Sequence, residues 1–190
     1  MQGIEIEKKY KVIQLPKDLE KYKKIEIEQS YLNHGSKPTL RLRKYNEDTY
    51  VLSYKSRKKG YKDELSICDE VELPLSKKAY EHLRTKVDGR TIHKTRYIVP
   101  LDNELKVELD IFKDFFNDVC FAEIEYESEK QANTYKVPDW LGEDISNQKR
   151  VKNGYMAFSA ESIEEYKDLL LKWWLVGVLY ERYFYFNRWN

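Results

Sequence analysis

The chain has 190 residues, 41% of them hydrophobic, which is enough for a buried core and excludes wholesale disorder. Its 34 Lys and Arg nearly cancel 33 Asp and Glu, leaving a formal net charge of +1. No global field therefore draws it to DNA or to an anionic membrane, and its charges must act through local arrangement. Two cysteines, Cys68 and Cys120, cannot build a disulfide framework, and buried free thiols in a reducing cytoplasm are expected. The start, Met1-Gln2-Gly3-Ile4-Glu5, has no basic region followed by an apolar one, so a cytoplasmic rather than secreted protein is expected.

In chain order, period-2 alternation predicts strands near 4–12, 25–33, 39–46, 49–56 and 66–74, and then near 91–99, 104–111 and 119–127. Asn33–Pro38 and Asn46-Glu47-Asp48 read as hairpin turns. A helix is predicted over Lys77–Lys86 with Ser76 as its cap, a short polar one over Ser128–Tyr135, and a longer one from near Ser162. The stretch Leu169–Tyr180 is apolar but too short and interrupted to span a bilayer, which takes about 20 apolar residues. It reads as a helix packed on the body of the protein or on another subunit, so a homodimer is one expectation; attachment to a membrane surface is the alternative. No P-loop is present, and His34, His82 and His93 lack zinc-ligand spacing. The basic run Ser56–Lys62 suits a solvated hairpin loop, or a grip on RNA phosphates.

Residues i and i+2 of a strand share a face. Glu5, Glu7 and Lys9 therefore lie together, as do Arg41 with Arg43, Glu70 with Glu72, Lys94 with Arg96, Glu108 with Asp110, and Glu123 with Glu125. Lys55 alternates with Leu52 and Tyr54 in the same way. Nearly every strand has one charged and one apolar face. A sheet with its polar face in water explains this strand by strand. It does not explain why like charges repeat at i, i+2 along so many strands. If the sheet closes on itself, the charged faces converge on a wet lumen. Such a lumen suits a polyanion held by Lys and Arg together with hard divalent cations held by carboxylates.

These segments resemble the CYTH superfamily, the triphosphate tunnel metalloenzymes, and among them the small bacterial inorganic triphosphatases. Glu5-Ile6-Glu7-Lys8-Lys9 is similar to the family's E-x-E-x-K signature. Arg41-Leu42-Arg43, Tyr50–Lys55, Glu70-Val71-Glu72, Lys94-Thr95-Arg96-Tyr97, Leu105–Phe112 and Phe121–Glu125 resemble its later strands in order, and Pro138–Gly142 the segment after them. The resemblance covers roughly 3–158 and implies an α+β, mainly antiparallel fold. Its centre would be an eight-stranded closed β-barrel, with peripheral helices and a C-terminal helix. Residues 1–158 would form that barrel domain and 159–190 a C-terminal helical extension. It implies Mg²⁺ or Mn²⁺ as cofactor and a small triphosphate as substrate. It further implies Glu5, Glu7 and Lys9 as catalytic, and Lys9, Arg41, Arg43, Lys55, Lys94 and Arg96 as phosphate-binding. The metal ligands would come from Glu5, Glu7, Glu70, Glu72, Asp110, Glu123 and Glu125. Many members carry an arginine shortly before the middle E-x-E, where Leu65-Ser66-Ile67-Cys68 has none; Lys62 or Arg57 would have to replace it. The expected activity is metal-dependent hydrolysis of a triphosphate, inorganic tripolyphosphate first. The alternatives are a class IV-type adenylate cyclase making cyclic AMP and a non-catalytic module binding polyphosphate or nucleotides.

Overall fold

A computed structural model describes residues 3–34, 37–57 and 66–171; for 3–5, 57 and 66–68 only the backbone is described. Among the described residues there are nine strands: β1 (Gly3–Val12), β2 (Lys23–Tyr31), β3 (Thr39–Tyr45), β4 (Thr49–Arg57), β5 (Ser66–Leu75), β6 (Asp88–Pro100), β7 (Lys106–Phe112), β8 (Cys120–Tyr126) and β9 (Leu141–Asp144). Three short helices accompany them: α1 (Lys77–Arg84), α2 (Glu129–Thr134) and α3 (Asn153–Phe158). The Ser76 hydroxyl caps α1 by accepting from Ala79 N at 3.2 Å, and Ser128 does the same for α2 from Gln131 N.

The closed eight-stranded barrel expected from the sequence is corrected. The strands form one nine-stranded antiparallel sheet in the order β5-β4-β3-β2-β6-β7-β8-β1-β9. β1 and β5 also meet, but only where Gly3–Glu7 face Ser66–Glu70. Further along β1, at Tyr10 and Val12, β9 pairs instead. β8 already occupies the opposite edge of β1 from Ile6 to Lys11. A strand has two hydrogen-bonding edges, so β9 takes the place that β5 would need for a full seam. The result is a curled sheet with an extra strand, which Leu141-Gly142-Glu143-Asp144 does not announce by any period-2 pattern.

The apolar faces pack outward and away from the charged ones. Ile6, Tyr10, Tyr97, Val107, Leu109, Ala122 and Ile124 form one buried cluster, covered by Ala132, Trp140 and Leu141. Leu42 and Tyr50 pack under Tyr80 of α1. A third cluster lies at one end of the charged face itself. There Tyr31, Ile92, Phe112 and Phe121 pack against Val151, Met156, Ala157, Tyr166 and Leu169. Gly89, at φ +69°, makes room for this packing, because a Cβ there would stand 2.5 Å from the Phe158 ring.

The long helix expected from Ser162 is also corrected. Ser162 and Glu165 form a capping box, but the turn is 3₁₀ and ends at Tyr166. The backbone then runs alongside β8: Cys120 N donates to Leu169 O at 2.9 Å and Leu171 N to Asp118 O at 2.8 Å. Bonds to β8, together with burial of Tyr166 and Leu169, outweigh continued helix. The rest of the apolar C-terminal stretch, from residue 172, lies outside the described residues. Among the described residues no helix is long and apolar enough to cross a membrane.

Candidate active site

The charged face encloses a cavity of about 530 Å³. β1 supplies Glu7 and Lys9, β3 Arg41 and Arg43, β4 Lys55, β5 Glu70 and Glu72, β6 Arg96, and β8 Glu123 and Glu125. These ten were named from sequence, and alternation within each strand is what turns them inward together. Lys94 and Asp110 are not among the lining residues; they are 1% and 0% exposed. Glu5 is described by its backbone alone, opposite Cys68, so the role expected of its side chain lies outside the described residues, as does that of Lys62. Arg57, the other substitute for the missing arginine, is described by backbone only. Cys120, the first residue of β8, is free and buried in the core, where burial pushes its thiol up.

Several lining residues were missed. Lys106 shares the inward phase of β7 with Glu108, which alternation places on the charged face without a site role. Lys23, Ile25 and Ile27 of β2 also face the cavity, with Ile98 of β6; their mixed character hid the phase. Asn153 arrives from α3, far along the chain, and only the fold could bring it there.

The cavity's charges neutralise one another in pairs. Lys9 donates to Glu123, Arg41 to Glu70, and Arg96 to Glu108. Arg96 also reaches Glu123 at 2.8 Å, Lys55 stands 3.5 Å from Glu70, and Arg43 stands 3.6 Å from Glu72. The Arg43 Nε donates to Gln29 at 3.0 Å and its Nη1 to the Tyr45 hydroxyl at 2.9 Å, which fixes the guanidinium. Burial alone would push Lys9 down, but Glu123 and Glu7 outweigh it and hold the ammonium above the ordinary lysine value. Burial would raise Glu123, and Lys9, Arg96 and Lys94 together keep it well below the carboxylate range. Arg41 is lowered by burial and by its neighbour Arg43, and its Nε is buried without a hydrogen-bond partner. Two adjacent buried guanidiniums, one of them under-partnered, attract an anion.

The carboxylates are hard oxygen donors of the kind Mg²⁺ and Mn²⁺ take. Glu7 lies directly across from Glu125 on neighbouring strands, and Glu108 across from Glu123. Like charges at such opposed positions repel unless a cation intervenes. Among the described residues no three His, Cys, Asp or Glu side chains already converge on one point. The donor chemistry thus fits a divalent ion, and the ion pairs with Lys and Arg must loosen for it to be held.

The fold is a curled antiparallel sheet around one cavity lined by both cations and carboxylates. The chain belongs to the CYTH domain family, which it matches over residues 3–157. It is 33% identical over 90 residues to an inorganic triphosphatase of Nitrosomonas europaea. That stretch is 47% of this chain and 60% of the relative, so the chain matches only about three fifths of its length. The crystal structure of an inorganic triphosphatase superposes with a TM-score of 0.61 at 29% identity, covering 82% of this chain and 95% of that one. A protein from Hippeastrum, studied as a candidate adenylyl cyclase in which a triphosphatase activity dominates, shares the fold at 16% identity and a TM-score of 0.54. That alignment covers 68% of this chain and 82% of the other.

Proposed function

We propose that the cavity hydrolyses a linear triphosphate, inorganic tripolyphosphate first, with Mg²⁺ or Mn²⁺. The observation that carries this reading is the lining itself: seven cationic and six carboxylate side chains line one cavity. A phosphate chain alone would need only the cations, and a metal alone only the carboxylates. A metal-bound triphosphate uses both. The relatives named above as triphosphatases support the same reading.

In this reading Arg41, Arg43, Lys55, Lys9 and Arg96 bind and align the phosphate oxygens. Arginine does so through a two-pronged fork and lysine as a point charge. Glu7 and Glu125, with Glu70, Glu72 and Glu123, would hold the divalent ion. When bound, that ion supplies charge neutralisation and lowers the pKa of the attacking water. Glu7, with Glu5 beside it in phase, orients the water toward the terminal phosphorus. A bond forms from the water oxygen to that phosphorus, and the bridging P–O bond breaks. Diphosphate is the leaving group, the attacking oxygen ends in orthophosphate, and the water proton passes to solvent. Lys9, kept charged by Glu123 and Glu7, stabilises the charge that spreads over the transferred group.

The test is phosphate release from tripolyphosphate, ATP and thiamine triphosphate with each metal, with cyclic nucleotide and pyrophosphate assayed in the same samples. Metal-dependent orthophosphate release supports the reading. Cyclic AMP with pyrophosphate would replace it by the cyclase, and no product from any substrate would sink it.

A further inference from the structure

Among the described residues two buried side-chain polar atoms have no hydrogen-bond partner, Arg41 Nε and Asn153 Oδ1, and both belong to residues that line the cavity. Buried polar atoms are nearly always satisfied, so two exceptions at one site need a reason. Arg41 finds it in the phosphate it is read to bind. Asn153 is uncharged and comes from outside the sheet. It is the first residue of α3, yet it does not cap that helix: Lys152 stands at the cap, and no side chain bonds there. Met156 and Ala157 of the same helix enter the apolar cluster that fills one end of the charged face. Asn153 therefore stands where the cavity meets its filled end.

We propose that Asn153 binds substrate, donating from its amide nitrogen to a phosphate oxygen at the closed end of the cavity. A carboxamide is planar, with its oxygen and nitrogen on opposite sides of one carbon. With the oxygen buried, the nitrogen is the end left to face the cavity. That nitrogen carries two N–H donors and no charge. Lys9, Arg41 and Arg96 each donate to a carboxylate of the lining and must loosen an ion pair to take a phosphate. Asn153 has no ion pair to loosen. Its buried oxygen goes unsatisfied, which costs stability, and a cost of that kind persists where function requires the group. The inference rests on the reading of the cavity as a phosphate site, and the experiment separates the two.

The affinity of the full chain for tripolyphosphate is measured by calorimetry in chelator, so that no turnover is needed, and thermal unfolding is followed on the same preparations. Asn153→Ala should weaken binding about tenfold, the effect of losing one hydrogen bond to a charged group. Its Tm should stay level or rise, because the variant deletes a buried oxygen that had no partner. Asn153→Asp keeps the shape and should weaken binding more than alanine does, since it sets a carboxylate against the phosphate. Gly154→Ala is the control: a Cβ there meets nothing within 4 Å. Its binding should stay within about twofold of the unaltered protein, and a loss equal to that of Asn153→Ala would overturn the proposal. A residue that only holds α3 in place would give a lower Tm in Asn153→Ala with affinity unchanged, and that result also overturns it. If Asn153→Ala does not fold, Asn153→Ser, too short to reach the same oxygen, takes its place with the same expectation. Unaltered protein that does not bind tripolyphosphate sinks the phosphate reading and this inference together. Equal binding by the unaltered protein and Asn153→Ala sinks this inference alone.

Discussion

Glu7 of β1 stands directly opposite Glu125 of β8, and both side chains face the same cavity. Facing residues of neighbouring antiparallel strands hold their Cβ atoms about 5 Å apart. Two carboxylates at that spacing, on strands that could have carried any polar residue, suit a shared divalent cation.

Glu125→Gln keeps the shape of that pair and removes one charge. It should weaken Mn²⁺ binding at least tenfold, as loss of a charged ligand does, and lower phosphate release at least as much. Electron paramagnetic resonance of free Mn²⁺ gives the affinity directly. Unchanged Mn²⁺ affinity would remove Glu125 from the metal site.

The far end of the charged face is filled rather than open. Tyr166 is fully buried against Phe116, with ring centres 5.3 Å apart, and its hydroxyl donates to Arg150 O at 2.9 Å. Tyr166→Ala should cost about 3–5 kcal/mol, the range for deleting a buried aromatic ring. For a protein of this size that is a fall in Tm of roughly 6–20 °C. Calorimetry checks it. A fall of less than about 2 °C would mean that the segment after α3 contributes little to the core.

The sequence announced this fold unevenly. Alternation placed eight strands within a few residues of their observed ends, because a sheet with one charged and one apolar face leaves a period-2 record along each strand. It therefore also found ten lining residues. β9 was invisible, since a four-residue strand held by one neighbour needs no pattern of its own. Lys94 and Asp110 share the phase of the lining residues but are buried deeper, at a level beside Phe112 and Phe121 where the face turns apolar. Phase along a strand reports which side a residue faces. It does not report depth. Asn153 and the filling by Met156 and Tyr166 depend on contacts far apart in sequence, which no local pattern records.

Arg150 grips Asp168 through both prongs of its fork, at 2.6 and 2.9 Å. The hydrogen bond from Arg150 holds the Asp168 carboxyl well below the usual carboxylate range. Its folded pKa is therefore lower than its unfolded one. The stabilisation is fully present above the ordinary aspartate value of about 3.9 and is lost progressively as pH falls through and below it. The Asp168 side chain is 40% exposed, so solvent screening limits the effect to about 1 kcal/mol. Asp168→Asn should lower the urea midpoint at pH 7, and the gap to the unaltered protein should narrow between pH 5 and pH 3. A gap constant with pH would mean that the bond acts by shape and not by charge.

The internal pairing of the cavity makes a prediction of opposite signs for one substitution. Glu72 accepts from Ser53 Oγ at 3.1 Å and stands 3.6 Å from Arg43. While it does so, part of the Arg43 charge is spent on a carboxylate and is withheld from a phosphate. In the proposed reaction a bound metal relieves this competition by drawing the carboxylate away, so metal and triphosphate help each other to bind. Glu72→Gln imposes half of that change permanently. In chelator it should bind tripolyphosphate about two- to fivefold more tightly, which is the worth of a part-exposed ion pair. With Mg²⁺ or Mn²⁺ it should release phosphate at least about tenfold more slowly, because a metal ligand is gone. Calorimetry and a phosphate assay on the same preparation read both arms. Weaker binding in chelator would mean that Glu72 supports Arg43 instead of competing for it.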